Sequence, residues 1–443
     1  MTTVMTRRTR TPDMSSGFDR DRDDFARGTR AIVVLPDQGD ATRDADARLA
    51  ETAGLAMAIG LTVADKVAFR VRAPKPATLI GSGQVEQLVA TARMEEAGLV
   101  VFDASLTPVQ QRNLETALET KVIDRTGLIL EIFGERAATA EGRLQVELAH
   151  LDYQAGRLVR SWTHLERQRG GFGFLGGPGE TQIEADRRLI RDRMARLRRE
   201  LDQVSRTRGL HRDRRQRAPW PVIALVGYTN AGKSTLFNRL TGADVMAENL
   251  LFATLDPTLR QIALPGIDKA ILSDTVGFVS DLPTQLVAAF KATLEEVVSA
   301  DLLVHVRDIA HPDTEAQRAD VEAVLAEIGV TDATPRFEAW NKLDLLDSDD
   351  HDDAVNEATR RDDVMAISAL TGEGVADLIA AVATRLTHGH QRYSIELDAA
   401  DGAGAAWLHA HGEVLEHVVA DDLATYEVRM APRDFERFAT RNG

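Results

Sequence analysis

Residues 227–235 read Gly227-Tyr228-Thr229-Asn230-Ala231-Gly232-Lys233-Ser234-Thr235, and they directly follow an apolar run that predicts a buried strand, Val222–Val226. A strand, such a loop and then a helix form the arrangement in which backbone N–H groups turn inward around a chain of phosphates. Lys233 can reach the β and γ phosphates, and the Ser234 hydroxyl can ligate Mg²⁺. The sequence therefore predicts a P-loop, and an ordinary glycine-rich turn is the weaker alternative.

A second motif, Asp274-Thr275-Val276-Gly277, follows another apolar run over residues 270–273. At the end of a strand, Asp274 can hold the magnesium shell and the Gly277 amide can contact the γ phosphate. A tetrapeptide of this kind is weak evidence alone. Its position behind a P-loop is what makes it informative.

Two later segments indicate which base is bound. Asn341-Lys342-Leu343-Asp344 follows a predicted strand over 337–340, and the Asp344 carboxylate offers two acceptors to the ring N–H and the amine of guanine. Adenine has no such pair of donors and would leave a desolvated charge unpaired. Ser368-Ala369-Leu370 follows a predicted strand over 364–367 and is placed to bring a backbone amide to the guanine oxygen. The ordered set predicts a GTPase that binds GTP and GDP.

The segment between the P-loop and Asp274 predicts a mobile switch that contains Leu251-Phe252-Ala253-Thr254. The hydroxyl of Thr254 is expected to complete the Mg²⁺ shell only while the γ phosphate is present, with Thr258 as the alternative. The predicted magnesium ligands are accordingly Ser234, Thr254 and Asp274. The predicted catalytic residues are Lys233, Thr254 and Gly277.

The residue after Gly277 is Phe278, where Ras-like enzymes have a glutamine that orients the attacking water. A phenylalanine side chain forms no hydrogen bond with water, so we predict slow hydrolysis by the isolated chain. Either a partner surface that orders the switches or a monovalent cation such as K⁺ near Asn230 is expected to compensate. Alternatively, Asn230 only braces the loop.

Strands and helices alternate before and after a central helical segment, which predicts two α/β units, the second a doubly wound sheet. The predicted division is a disordered extension over 1–27, a small α/β domain over 28–139, an antiparallel helical hairpin over 140–216, a GTPase domain over 217–390, and a small α/β appendage over 391–443. In the appendage we expect a strand over 393–397, a helix over 406–417 and a strand over 425–430.

The hairpin is predicted from two apolar heptad seams joined by residues 170–179, GGFGFLGGPG. The seams consist of Leu144, Leu148, Leu151, Ala155, Leu158, Trp162 and Leu165, and of Ile183, Ile190, Met194, Leu197, Leu201 and Val204. A short glycine-rich connection requires the helices to fold back, which makes the glycines the tip. A stalk or a dimerising coiled coil is the alternative.

Positive charge is concentrated in this central region. Residues 151–220 contain 17 arginines against 9 carboxylates, whereas the whole chain has a formal net charge of −16. A basic segment in an acidic protein can neutralise phosphates locally, so we predict contact with a structured RNA. The predicted contacts are Arg167, Arg169, Arg187 and Arg188, which flank the tip; a solvated helical surface is the alternative.

Several classes are disfavoured by composition. The chain has no cysteine, which excludes disulfides, thiol catalysis and Cys-ligated metals. No run of eighteen apolar residues occurs, and the first residues are polar, which argues against a membrane span and a secretory signal. We therefore expect a cytoplasmic protein and a monomer.

The chain closely resembles the HflX family of ribosome-associated GTPases. Six segments carry the resemblance together with the GTPase motifs: 80–86 (IGSGQVE), 106–114 (LTPVQQRNL), 124–130 (DRTGLIL), 141–148 (EGRLQVEL), 165–168 (LERQ) and 179–188 (GETQIEADRR). The resemblance implies a factor that binds the large ribosomal subunit, is stimulated there, and splits or rescues stalled ribosomes. It also implies that the first domain and the hairpin make the ribosome contacts. A subunit-assembly GTPase and a nucleotide-gated RNA-binding module are the alternatives.

Overall fold

The computed structural model describes residues 27–39, 43–137, 139–168, 187–204, 220–243, 258–280, 294, 296–331, 334–388, 391–420, 422–430 and 432–442. Several predictions lie outside these residues. They are the extension predicted to be disordered, up to residue 26, the switch residues 251–254, Arg169, and the glycine tip over 170–179.

The first unit is a parallel sheet in the order β2-β1-β3-β4. Its elements are β1 (Arg30–Asp37), α1 (Ala45–Ala58), β2 (Thr62–Arg70), α2 (Ser82–Met94), β3 (Leu99–Phe102), α3 (Pro108–Leu118), β4 (Lys121–Asp124) and α4 (Arg125–Arg136). The order of the strands reverses between β1 and β3, which in such sheets is where a ligand crevice opens at the carboxyl edge. Neither β4 nor α4 was predicted from the sequence, because β4 has only four residues and depends on pairing with β3.

Two helices follow, α5 (Ala140–Gln168) and α6 (residues 187–204). They pack together through a small apolar cluster in which Leu151 of α5 meets Ile190, Met194 and Leu197 of α6. An ion pair between Arg193 and Glu147, 2.7 Å apart, joins the same stretches. These contacts lie along the predicted heptad seams.

The second sheet has six strands in the order β10-β9-β8-β5-β7-β6. Its elements are β5 (Val222–Val226), α7 (Lys233–Thr241), β6 (Thr258–Leu264), β7 (Ile267–Asp274), β8 (Leu302–Asp308), α8 (Thr314–Glu327), β9 (Arg336–Asn341), α9 (Ser348–Thr359), β10 (Val364–Ala366) and α10 (Val375–Leu386). The edge strand β6 is antiparallel to β7, and Thr258, the alternative switch threonine, pairs there with Asp274. The parallel strands β5, β8, β9 and β7 bring their carboxyl ends to one edge.

The last unit is an antiparallel sheet in the order β11-β13-β12 with two helices. It comprises β11 (Gln391–Asp398), α11 (Gly402–His411), β12 (Glu413–Ala420), β13 (Leu423–Met430) and α12 (Pro432–Asn442). The helix expected over 406–417 is therefore wrong beyond His411. A Cβ at Gly412 would lie 2.4 Å from Val428, and the chain after it pairs with β13 instead of continuing the helix.

The predicted fold class is confirmed: a doubly wound P-loop domain preceded by a small α/β domain and two helices, with a C-terminal α/β unit. None of the helices in the described ranges is both long and apolar enough to cross a bilayer.

Candidate functional site

The P-loop occupies the turn between β5, in the middle of the sheet, and α7. Gly227 approaches the neighbouring strand so closely that a Cβ would lie 2.2 Å from the carbonyl oxygen of Val306. Gly232 has φ +97°, and a Cβ there would lie 2.1 Å from Nδ2 of Asn341. Both positions require glycine for a steric reason, which gives the predicted motif a physical basis.

The Lys233 ammonium folds back under this loop. Its Nζ donates to the carbonyl oxygens of Gly227 (3.1 Å) and Tyr228 (2.8 Å). Burial lowers the pKa of Lys233 to about 8, although the carboxylate of Asp274 partly opposes the shift. A phosphate oxygen at the loop would supply the negative charge that this desolvated cation lacks.

Two of the three predicted magnesium ligands are adjacent. The Ser234 hydroxyl, in the first turn of α7, donates to Oδ2 of Asp274 at the end of β7, with 2.8 Å between the oxygens. A hydroxyl beside a carboxylate is an oxygen donor set of the kind that Mg²⁺ prefers, with phosphate oxygens and water completing its octahedron. The third predicted ligand, Thr254, lies outside the described residues. No cluster of three or more His, Asp or Glu residues suited to a metal occurs within the described ranges.

The segment after Asp274 lies directly against the P-loop. The Phe278 N–H donates to the Gly227 carbonyl (3.2 Å), and the Phe278 carbonyl accepts from the Thr229 N–H (2.6 Å). A Cβ at Gly277 would lie 3.2 Å from Nζ of Lys233. Gly277 thus lies beside the Lys233 ammonium, and a γ phosphate is expected to contact both. The Phe278 side chain is buried, 1% exposed, in the apolar core, away from any position from which it could orient water.

Asn341 connects the base-recognition motifs to the P-loop. Its Nδ2 donates to the carbonyl of Ala231 (2.7 Å), and its Oδ1 accepts from the Ala369 N–H (2.8 Å). Asp344 lies close by, with Oδ1 accepting from the Ser368 hydroxyl at 2.5 Å. The Ser368 hydroxyl therefore orients the carboxylate, and both oxygens keep lone pairs that can accept from the base.

Lys342 has a structural contact that sequence analysis did not predict. It adopts φ +73°, and its Nζ lies 2.7 Å from Oδ2 of Asp308, the last residue of β8. The ion pair holds the turn between Asn341 and Asp344 against the neighbouring strand. In the sequence, Asp308 has no motif that would have identified it.

A buried polar network joins this site to the first unit. The Tyr228 hydroxyl donates to the carboxylate of Glu51 on α1 and accepts from the Ser280 N–H at 2.8 Å. Arg125, the first residue of α4, donates to the Ser280 hydroxyl (2.6 Å) and carbonyl (3.3 Å) and to Glu51 and Asp103, each at 2.5 Å. Burial by itself disfavours the charge, yet the two carboxylates hold the pKa of Arg125 above its ordinary value. Ser280 follows Phe278 by two residues, so the network reaches the segment that contacts the P-loop.

The predicted site residues that the structure describes converge on one edge of the sheet. They are Gly227 to Thr235, Asp274 to Gly277, Asn341, Lys342, Asp344 and Ser368 to Leu370. Among them Thr275 is buried and donates to the carbonyl of Leu225 (2.6 Å), a structural contact, whereas the Leu370 side chain is exposed. Of the predicted RNA contacts, Arg187 and Arg188 lie in α6, and Arg167 is in the last turn of α5.

Comparison with known proteins agrees with this geometry. Four family models match in succession: "GTP-binding GTPase N-terminal" over residues 46–134, "GTP-binding GTPase Middle Region" over 136–215, "50S ribosome-binding GTPase" over 222–342 and "HflX C-terminal domain" over 353–443. GTPase HflX of Magnetococcus marinus is 50% identical over 404 residues, which cover 91% of this chain and 93% of that protein. The chain belongs to the HflX family of GTPases.

A second HflX relative is consistent with this membership. GTPase HflX of Escherichia coli is 42% identical over 398 residues, covering 89% of this chain and 93% of that protein. A solved GTP-binding protein of Sulfolobus solfataricus, in complex with GDP, is 24% identical over 81% of this chain and 99% of its own, with a TM-score of 0.44. As an HflX-family P-loop GTPase, the chain binds guanine nucleotides and hydrolyses GTP.

Proposed function

We propose that this HflX-family GTPase is a cytoplasmic factor that binds the large ribosomal subunit and couples GTP binding and hydrolysis to the splitting or rescue of stalled ribosomes. The observation that carries the proposal is the basic segment of the sequence, residues 151–220, which lies between two acidic stretches. Residues 151–220 have a net charge of +8, whereas residues 221–443 have −21. This charge distribution favours contact with RNA at the basic segment alone. The match to a family model described as a 50S ribosome-binding GTPase supports the same partner.

The burial of Phe278 supports a need for that partner. Because the buried Phe278 side chain cannot orient the attacking water, the chain alone is expected to hydrolyse GTP slowly. A partner surface that orders the switches is expected to position that water instead. We expect purified large subunits to raise the multiple-turnover rate at least about tenfold. Equal rates with and without subunits would contradict partner activation. Small subunits serve as the control.

Splitting is tested by sedimentation of intact ribosomes with the protein and either GTP or a nonhydrolysable analogue. Loss of the intact-ribosome peak with both nucleotides would assign splitting to GTP binding, and loss with GTP alone would assign it to hydrolysis. An unchanged peak, with the protein accumulating on immature large subunits, would instead support an assembly GTPase. Binding to RNA without any change in the ribosome profile would support the RNA-binding module.

The basic segment is tested through the salt dependence of subunit binding. Neutralising Arg167 and Arg169 together is expected to weaken binding and to reduce the slope of log affinity against log salt by roughly 1.5, because each phosphate contact releases a counterion. A matched control neutralises Arg360 and Arg385, which lie at the ends of α9 and α10. The same slope in both double variants would contradict an RNA contact at Arg167 and Arg169.

We propose that Ser234 and Asp274, with Thr254, hold the Mg²⁺ that neutralises the phosphates and polarises the leaving group. The contact between the first two side chains supports this assignment. Potassium near Asn230 stays a prediction. Asn230 adopts φ +60° and is exposed at the loop. A rate that is the same in KCl and NaCl would leave Asn230 with the bracing role alone.

A further inference from the structure

Arg239 contacts the base-recognition loop through its backbone. The residue is in the last turn of α7, two turns after Lys233, and its Nε donates to the Ala369 carbonyl at 2.6 Å. Its Nη2 donates to the carbonyl of the next residue, Leu370. At Gly372, where φ is +98°, a Cβ would lie 2.7 Å from Nη1, so glycine leaves room for the guanidinium to lie across the loop.

These two hydrogen bonds fix the orientation of two successive peptide planes. In a trans peptide the C=O and the following N–H point in opposite directions. A carbonyl of Ala369 held toward Arg239 therefore directs the N–H of Leu370 away from α7. In the same way, the carbonyl of Leu370 directs the N–H of Thr371 away from the guanidinium. The planar fork of arginine suits this task, because its donors have a fixed geometry.

The second peptide plane leads to Asp344. The Thr371 N–H donates to the Ser368 hydroxyl oxygen at 3.0 Å, and that hydroxyl donates to Oδ1 of Asp344 at 2.5 Å. A chain of hydrogen bonds thus runs from Arg239 to the carboxylate that selects guanine. Rotation of this peptide plane would remove the donor to Ser368 and release the Asp344 carboxylate.

The neighbouring peptide is tied to the phosphate side of the site. The Ala369 N–H meets Asn341, whose amide nitrogen donates to Ala231 of the P-loop. One helix, α7, therefore contributes to both halves of the nucleotide site: its first turn carries Lys233 and Ser234 for the phosphates, and its last turn carries Arg239 for the loop at the base.

We propose that Arg239 is a positioning residue for guanine selection, which orients the backbone of residues 369–371 and, through Ser368, the carboxylate of Asp344. In this role it acts through the backbone carbonyls of Ala369 and Leu370. The proposal concerns the GTPase site and is independent of ribosome binding.

Competition between nucleotides tests it, because GDP and ADP share their ribose and phosphates and differ in the base. In the full-length Arg239→Gln variant, the affinity for GDP is expected to fall roughly tenfold while the affinity for ADP stays the same, so that the GDP/ADP affinity ratio falls by the same factor. Both affinities are measured by displacing a fluorescently labelled GDP with unlabelled GDP or ADP at a fixed Mg²⁺ concentration. Arg239→Lys keeps the charge but not the fork and is expected to give an intermediate ratio.

A purely structural role would give a different result. Damage to α7 would weaken GDP and ADP alike, because both depend on Lys233 and Ser234, and an unchanged ratio would overturn the proposal. An unchanged affinity for GDP would overturn it as well. Arg385→Gln, in the last turn of α10, is the matched control and is expected to leave both affinities unchanged. Arg239 is largely exposed, so the variants are expected to fold, and their thermal unfolding is recorded alongside.

Discussion

Asp344 is the residue on which discrimination between guanine and adenine depends. Its Oδ1 accepts from the Ser368 hydroxyl, which orients the carboxylate, while the remaining lone pairs and the negative charge are available to the base. Asp344→Asn replaces one acceptor with a donor that faces the donors of guanine. We expect the preference for GTP over ATP to fall roughly 10- to 100-fold, as for the loss of hydrogen bonds to a charged group. Equal competition by ATP in the unmodified protein would contradict the assignment of this residue.

A second single-residue effect concerns stability and pH. Burial lowers the pKa of His305 in β8 to about 4, with Glu338 opposing the shift and Arg307 adding to it. The unfolded chain takes up this proton near pH 6.5, whereas the folded chain takes it up only near pH 4. The contribution of the neutral histidine to the free energy of unfolding is thus fully present above pH 6.5 and is lost as the pH falls from 6.5 toward 4.

His305→Gln is expected to remove that part of the pH dependence. The free energy of unfolding of the unmodified protein should fall by up to about 3 kcal/mol more than that of the variant between pH 6.5 and 4. Urea unfolding at a series of pH values gives both curves, and carboxylates that do not interact with His305 cancel in the difference, whereas Glu338 contributes to it together with His305. Parallel curves would show that His305 does not titrate in this way.

At the scale of single elements, the two ends of α7 provide a matched pair of glycines. Gly232 begins the helix and Gly242 ends it, both with positive φ, but a Cβ meets Asn341 at the first position and nothing within 4 Å at the second. Gly232→Ala is expected to displace Asn341 and abolish detectable GDP binding. Gly242→Ala is expected to cost about 1 kcal/mol of stability with binding retained. Similar binding defects in both variants would contradict the steric argument.

Local sequence signals identified the elements whose determinants are local. The strand β5 was predicted with its observed bounds, Val222–Val226, since it is a continuous apolar run, and the P-loop after it was recognisable from its glycines and Lys233. The short strand β4 was missed because it is stabilised by β3, and β12 was mistaken for a helix although Gly412 and three valines pointed to a strand. The helix predicted over 406–417 continued a helical pattern past Gly412 and gave these strand signals too little weight.

At the scale of the whole molecule, the sequence offered no route to the contact between the units. Arg125 and Ser280 are separated by 155 positions, and neither belongs to a nucleotide-binding motif. Their proximity follows from the way the two sheets pack, with a shared core that includes Phe133 of α4 and Phe278. Contacts of this kind depend on the tertiary arrangement and have no periodicity that could predict them.

Arg125 is expected to be the main stabilising residue of this interface. Arg125→Gln would leave Asp103 paired with Arg48 alone and Glu51 with Arg43 alone, 4.0 Å away. Removing one partner from a buried ion pair costs up to about 3 to 5 kcal/mol in other proteins, and the remaining arginines reduce the loss here. We expect a lower unfolding temperature and faster hydrogen exchange in both α4 and residues 276–280. Arg48→Gln is the control, because Arg48 pairs with Asp103 but contacts no residue of the second sheet among its described hydrogen bonds and ion pairs. The same exchange pattern in both variants would contradict a specific role for Arg125.

The strand order of the first sheet leads to one more consequence. Folds with the order β2-β1-β3-β4 usually bind a small molecule in the cleft beyond β1 and β3. In this protein Ser280, from a distant part of the chain, bonds to Arg125, which pairs with Asp103 at that cleft. A small molecule that binds in this cleft would have to displace the segment around Ser280. Binding there would therefore move the backbone at Phe278, two residues away, which is hydrogen-bonded to the P-loop. The rate of nucleotide exchange would then depend on the occupancy of a pocket that does not contact the nucleotide.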